Sequence, residues 1–466
     1  MALRPSALDA ALGCTLVAHG LVAEALVISY GHNHPVADAL AVAAVPAVGL
    51  GLWATRWPVA RLGAPAAAGL DAPSISRGAA ALGRFGAPGL VWIAALASTL
   101  AVAVLDPGTF VRASAPRGAF LVLSVAALVV VASYGFDVFG RREETVGSRG
   151  PLSTARPVAL VGLALGLGVW MLRASPSPAI DVWTVHQQGA DALLHGRQVY
   201  ASGAIDTLDT HSHAREIDTY AYPPLNLVLT AAAYAITRET RWAQLVAIGL
   251  GGWLLRATAK RRGWKAPVPD LLMACLLFHP RGLFVLEQAW GEPLALPLLG
   301  GFTLAWAAGR PRVAAVMLGL LCALKQHYVL YVPALALLPG IGFTGVAIAV
   351  ATLVATYLPF VLSAPVGLWN AVIVHHLKNP FRSDSLSLTA RLWSAGIVLP
   401  SWLGFAASVG SVGALAWTPR KLGPLLLASS LTFLVFYLLG RQAFCNYYYL
   451  LGATWLFAGA SLAEPG

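Results

Sequence analysis

Long apolar runs alternate with short polar turns from one end of this chain to the other. Runs near residues 10–30, 38–55, 87–105, 118–137 and 157–173 are each close to the ~20 residues that carry a helix across a bilayer. After a polar stretch, further runs follow near 225–236, 245–255, 270–286, 293–308, 312–324, 328–338, 342–363, 399–417, 423–440 and 446–461. The pattern predicts an all-α polytopic membrane protein, since only helices and closed barrels satisfy their own backbone in lipid. The N-terminal run resembles a signal peptide, but it lacks a small-residue cleavage site and holds His19 and Glu24, so it reads as an uncleaved first span.

Basic turns orient the spans. Arg56 to Arg84 includes Arg61 and Arg77, and Arg141 to Arg156 includes Arg142 and Arg149; the positive-inside rule makes both cytoplasmic. The turns GHNHPVAD and DPGTF then lie outside, although the latter leads to Arg112 and Arg117. The fifth span delivers the chain to the outer face at residue 174. Beyond the loop the runs at 225–236 and 245–255 are short, and the cluster Lys260, Arg261, Arg262 and Lys265 follows them. If both cross, that cluster falls outside, so one is expected to be re-entrant, broken or interfacial. GRPR (309–312) and TPRK (418–421) read as cytoplasmic. The alternation places Glu287–Glu292, Lys325–His327, His375–Arg391 and Arg441–Tyr449 at the outer face.

Composition agrees with this class. Of 466 residues, 58% are hydrophobic and 11% charged, against about 25% charged in soluble proteins. Mean hydropathy is +0.71. The net charge of +11 sits mainly in short inter-span turns, which argues for contact with anionic lipid and against a nucleic-acid partner. Cys14, Cys275, Cys322 and Cys445 stand singly in apolar runs, without disulfide or metal spacing.

The polar stretch 174–224 holds the candidate chemistry. From Asp181 to His195 the spacing is helical, with Val182, Val185, Gly189 and Leu193 on one side and Gln187, Asp191 and His195 opposite. This predicts a helix in the membrane interface with its apolar side toward lipid. Asp181 at its start is either a helix cap or a partly desolvated functional carboxylate beside Trp183; the residues leave both open. Asp206, Asp209, His211 and His213 offer metal-ligand types, although flexible polar loops often carry such residues, and no metal or other cofactor is assigned.

The stretches IDVWTVHQQGADALLHGRQVY and YAYPPLNLVL resemble the first outer loop of GT-C-type glycosyltransferases, and in particular of glycosyltransferase family 87. FHPRGLFVLEQAWGEPLAL, LCALKQHYVLYVP, VHHLKNPFRSDSLSLTARLW and RQAFCNYYYLLGA fit the same pattern, so the likeness covers roughly 157–461. It implies a GT-C-like core over 151–466 with an exoplasmic loop at 174–224 containing interfacial helices. Residues 1–150, about four further spans, have no counterpart. It also implies transfer of a sugar, mannose by analogy, from a polyprenyl-phosphate donor to a lipid or glycan acceptor at the outer face of the cell membrane. Asp181 matches the acidic position that serves such enzymes as base.

The residue types suit that chemistry. A polyprenyl phosphate leaves readily, so one base and a cationic seat for phosphate suffice. Lys325, His327, His376 and Arg382 are the candidate seat, with a snorkelling span-end role as the alternative for Lys325. Trp183, Tyr222, Glu287, Gln288, Trp290 and Glu292 are candidates for holding sugar, with a polar helix cap as the alternative for the 287–292 break. Arg441, Asn446 and Tyr447 to Tyr449 read instead as an interfacial aromatic belt. A transporter or flippase of lipid-linked substrates is the rival class; the paired, interrupted halves typical of transporters are not seen.

Overall fold

The computed structural model describes residues 5–56, 73–140, 152–207, 218–400 and 402–463. Among these there is no β-strand, only an isolated bridge between His32 and Ser385. Helices α1 (Pro5–Ser29), α2 (Pro35–Arg56), α3 (Pro73–Val104, kinked at Gly86), α4 (Arg117–Ser133), α5 (Gly135–Phe139) and α6 (Leu152–Ala174) match the five predicted N-terminal spans. Helix α7 (Asp181–Leu194) occupies the polar stretch, followed by α8 (Pro224–Thr237) and α9 (Arg241–Arg261).

The run predicted at 270–286 is broken into α10 (Val268–Leu277) and α11 (Gly282–Glu287). Next come α12 (Ala295–Ala307), α13 (Pro311–Cys322), a 3-10 turn over Gln326–Tyr331 and α14 (Val332–Leu335). Helix α15 (Gly342–Ser363) leads to α16 (Pro365–Trp369), a π-helical turn and α17 (His375–Lys378). Helices α18 (Leu388–Ser394), α19 (Leu403–Ser411), α20 (Leu422–Leu438) and α21 (Cys445–Ala460) complete the chain. Six helical stretches among the described residues are long and apolar enough to cross a membrane: Leu8–Ser29, Pro35–Arg56, Gly86–Val104, Arg117–Phe139, Ala155–Ala174 and Gly342–Ser363.

The short, broken helices between residues 268 and 340 are buried among longer ones, where protein can satisfy an interrupted backbone. At the 278–281 break, the buried Arg281 guanidinium donates to the carbonyls of Leu26 (3.2 Å), Val27 (2.6 Å) and Asp106 (3.2 Å). Helix α21 is buried along its length against α1, α20, α9, α10 and α12. This corrects the aromatic-belt reading of 441–449, because Asn446, Tyr448 and Tyr449 are interior side chains. One continuous apolar core runs from Ala11 to Leu462, so the first four spans pack into the same body as the rest.

Hydrogen bonds between loops sort the turns onto two ends of the bundle. At one end Arg56 donates to the Trp417 carbonyl, Gly423 abuts Leu462, Arg262 donates to the Ser461 carbonyl and Arg261 to that of Ala307. The opposite end gathers Asp181, the turn after α1, the 105–116 connection and the 364–400 segment. Helix α9 joins the two ends, because its first turn bonds Glu287 and Ala289 through Arg241 and Gln244.

Helix α8 does not cross. Gln187 of α7 donates to the Arg238 carbonyl (3.3 Å) and accepts the Thr240 amide (3.0 Å), while the other end of α8 begins beside Tyr222, stacked on His186 of the same helix. Both ends of α8 therefore bear on one turn of α7. The Lys260–Lys265 cluster consequently falls at the end that carries Arg56 and Lys421, which removes the conflict with the charge rule.

Candidate functional site

Helix α7 opens the site. Ile180, in extended conformation, precedes its first residue, Asp181, whose Oδ1 accepts the Val182 amide at 2.8 Å. The carboxylate thus sits in the first turn, at the positive end of the helix dipole. The apolar side of α7 turns inward rather than toward lipid: Val185 and Gly189 pack on Tyr220 and Leu227, in a small core shared with Leu368 and Val372. The reason is α8, which covers the face that would otherwise meet the membrane. Asp191 and His195 point outward, as the helical spacing predicts, and Asp191 pairs with both His195 and Arg197.

Burial pushes the Asp181 carboxyl above the ordinary carboxylate range, with the Val182 amide and the charges of Arg382 and His375 pulling the other way. Arg382 itself makes a two-pronged pair with Asp384 (2.8 and 2.7 Å) and lies over the Phe444 ring at 4.8 Å. That guanidinium holds the Asp384 carboxyl below its usual range. Both side chains are half-exposed, so the pair forms a rim beside Asp181 rather than a buried anchor.

Backbone ties fix the rim. The Asn33 amide donates to the Asp384 carbonyl (2.8 Å), that of Leu386 to Ala443 (2.9 Å), and that of Arg382 to Arg441 (3.2 Å). Gly31, at φ 85°, makes the approach possible: a Cβ there would stand 2.1 Å from the Cys445 nitrogen.

Several expected ligand residues are engaged elsewhere. Glu287 is fully buried and accepts the amides of Thr109 (2.6 Å) and Phe110 (2.8 Å), while Gln288 donates to Thr109 Oγ1 (3.1 Å). These two residues clamp the 105–116 connection onto the core. Trp183 donates its indole N–H to Glu239 (3.3 Å), and the Arg241 guanidinium faces its ring at 6.0 Å. Trp290 packs edge-on against Phe284.

Among the expected phosphate ligands, Lys325 is neither free nor snorkelling: it is buried and paired with Glu292. His376 bonds the Ala221 carbonyl through Nε2 (2.7 Å). His327 sits among Phe436, Tyr437 and Tyr447. Of these, Arg382 alone both acts electrostatically on Asp181 and lies at the rim; His375, next to His376, acts on Asp181 as well.

Tyr222 packs against the His186 ring at 4.8 Å, and burial together with the charges of Asp181 and Glu292 pushes its hydroxyl pKa up. No family model, curated protein or solved structure matches the chain.

Sequence reasoning missed Asp384, His186 and Asn226. Asp384 was visible as the acid in Arg-Ser-Asp, two residues beyond Arg382. His186 and Asn226 carried no such signal, since their significance lies in burial. His211, His213 and Asp209 lie outside the described residues, and Asp206 engages Gln188 through its backbone. Among the described residues no three His, Cys, Asp or Glu side chains gather as metal ligands. An apolar cavity lined by Leu167, Leu245, Phe278, His279 and Tyr449 lies in the core and shares no residue with the Asp181 group.

Proposed function

We propose that this chain is an inverting membrane glycosyltransferase of GT-C type, similar to glycosyltransferase family 87. It would move a sugar from a polyprenyl-phosphate donor to a lipid or glycan acceptor at the outer face of the cell membrane. The observation that supports this reading best is Asp181, a carboxylate of raised proton affinity at one end of a membrane bundle with Arg382 and His375 beside it. In the reaction, an Asp181 oxygen takes the proton of the acceptor hydroxyl as the hydroxyl oxygen bonds to the sugar's C1. The bond from C1 to the phosphate oxygen breaks on the opposite face, and its electron pair leaves with the polyprenyl phosphate. Arg382 and His375 oppose the growing negative charge. Lys325, buried on Glu292 away from the half-exposed rim, takes no part in that seat.

Asp181→Asn keeps the size of the side chain and its place in the first turn, but cannot accept the proton. Sugar transfer by purified, donor-fed protein should fall by roughly 10²–10⁴-fold while donor binding survives, with Asp191→Asn as a milder control. Near-normal transfer by Asp181→Asn would overturn the reading. Lipid flipping by protein that shows no transfer would favour the transporter class instead.

A further inference from the structure

A second group of polar side chains surrounds Glu292, and the rim does not account for it. Glu292 is fully buried; its Oε1 accepts from Lys325 and from Asn446 Nδ2 (2.8 Å), whereas Oε2 has no partner. Asn226, also fully buried, receives the Tyr220 hydroxyl on Oδ1 (3.4 Å) and leaves Nδ2 unpartnered. That nitrogen abuts Gly291, where a Cβ would stand 2.5 Å from it, next to Glu292. His186 meets the Tyr220 hydroxyl through Nδ1 (3.0 Å), stacks on Tyr222 at 4.8 Å, and has an unpartnered Nε2. The buried Tyr328 hydroxyl is unpartnered as well.

Roughly nine in ten or more buried polar groups in folded proteins have a partner, so an unpartnered carboxylate oxygen grouped with three further exceptions calls for an explanation. Their charge is informative. Glu292 and Lys325 cancel, and burial together with Lys325 pushes the His186 imidazole down to about 3, so it is neutral. The group offers acceptors at Glu292 and, because Nδ1–H donates to the Tyr220 hydroxyl, at His186 Nε2; it offers a donor at Asn226 and a group with both capacities at Tyr328. Hydroxyls of an uncharged sugar complement that set. A sugar carboxylate would meet Glu292, and a phosphate would find Lys325 already neutralised.

We propose that Glu292, Asn226, His186 and Tyr328 form the subsite for the hydroxyls of a neutral sugar ring, with Lys325 a positioning residue that holds Glu292 rather than phosphate. This rests on the transfer reading above, whose base, Asp181, opens the helix that carries His186, with Tyr222 packed against that imidazole.

The test is equilibrium binding to the full chain in lipid nanodiscs, using a short prenyl phosphate bare, mannosylated or glucuronosylated. The mannosyl lipid should bind about tenfold or more tighter than the bare one, since its hydroxyls satisfy buried groups, and the glucuronosyl lipid no tighter. Asn226→Leu, Glu292→Gln and Lys325→Gln should each erase that preference and leave affinity for the bare lipid unchanged. A Lys325 that bound phosphate would lose both.

Equal binding of all three lipids by the wild type, or a preference that survives in well-folded variants, would overturn the proposal. Should the variants fail to fold, the wild-type comparison decides alone. Binding is read without transfer, so failure of the Asp181 reading and failure of this one are separately visible.

Discussion

Removing the Glu287 carboxylate should loosen the N-terminal spans from the core rather than impair ligand binding. Its oxygens accept two backbone amides at 2.6 and 2.8 Å and approach the Thr109 hydroxyl and Gln288 at 3.3 Å. Gly108 is shaped to admit it, because a Cβ there would stand 2.4 Å from Oε1. Bonds to a charged acceptor contribute about 1.5–3 kcal/mol each, and water can reach the half-exposed 105–116 connection after the change. A net loss of about 2–4 kcal/mol for Glu287→Ala follows, with roughly half of that for Glu287→Gln, which keeps one acceptor oxygen. In a chain of this length that amounts to a fall in melting temperature on the order of 5 °C. Cys275, Cys322 and Cys445 are buried and free, so a thiol-reactive fluorophore reports the unfolding directly. Unchanged melting in both variants, combined with lost sugar binding, would refute the clamp and return Glu287 to the ligand site.

Two further predictions concern the site and the topology. Because Asp181 must be ionised to act and burial raises its pKa, transfer should decline as pH falls through a value above the ordinary carboxylate range. Arg382→Gln, which removes an opposing charge, should move that acid limb to higher pH. The same sign makes ionised Asp181 a cost to the folded state, so Asp181→Asn should hold or raise the melting temperature. An impermeant thiol reagent should label cysteines at positions 238 and 382 from one side of the membrane and at 261 from the other. Labelling of 238 from the side opposite to 382 would refute the non-crossing α8.

The helices were legible because bilayer thickness and hydrophobic period act locally, on the sequence alone. The apolar stretches of all five predicted N-terminal spans and of the run at 342–363 appear within a few residues of their expected limits, although the third helix begins earlier, at Pro73. The helix that opens at Asp181 was equally legible from its spacing, and so was the outward face carrying Asp191 and His195. The likeness to a glycosyltransferase loop also came from sequence. It supplied the proposal for Asp181, but not the partners around it.

Which polar residues face a ligand was decided by packing across long sequence separations. Glu287 and Glu292 are five residues apart in one motif, yet the first closes on amides from 109–110 and the second on Lys325 and Asn446. Nothing local distinguishes them. Whether α8 crosses likewise depended on α7, which engages both its ends and covers what a hydropathy window reads as lipid-facing surface. His186 and Asn226 became visible only once burial removed water from them, since an unpartnered polar atom is a property of its surroundings. The sequence by itself determined where the chain is apolar enough to be helical and which end of the molecule is polar. The tertiary structure alone decided which of those polar groups satisfy one another and which are left open.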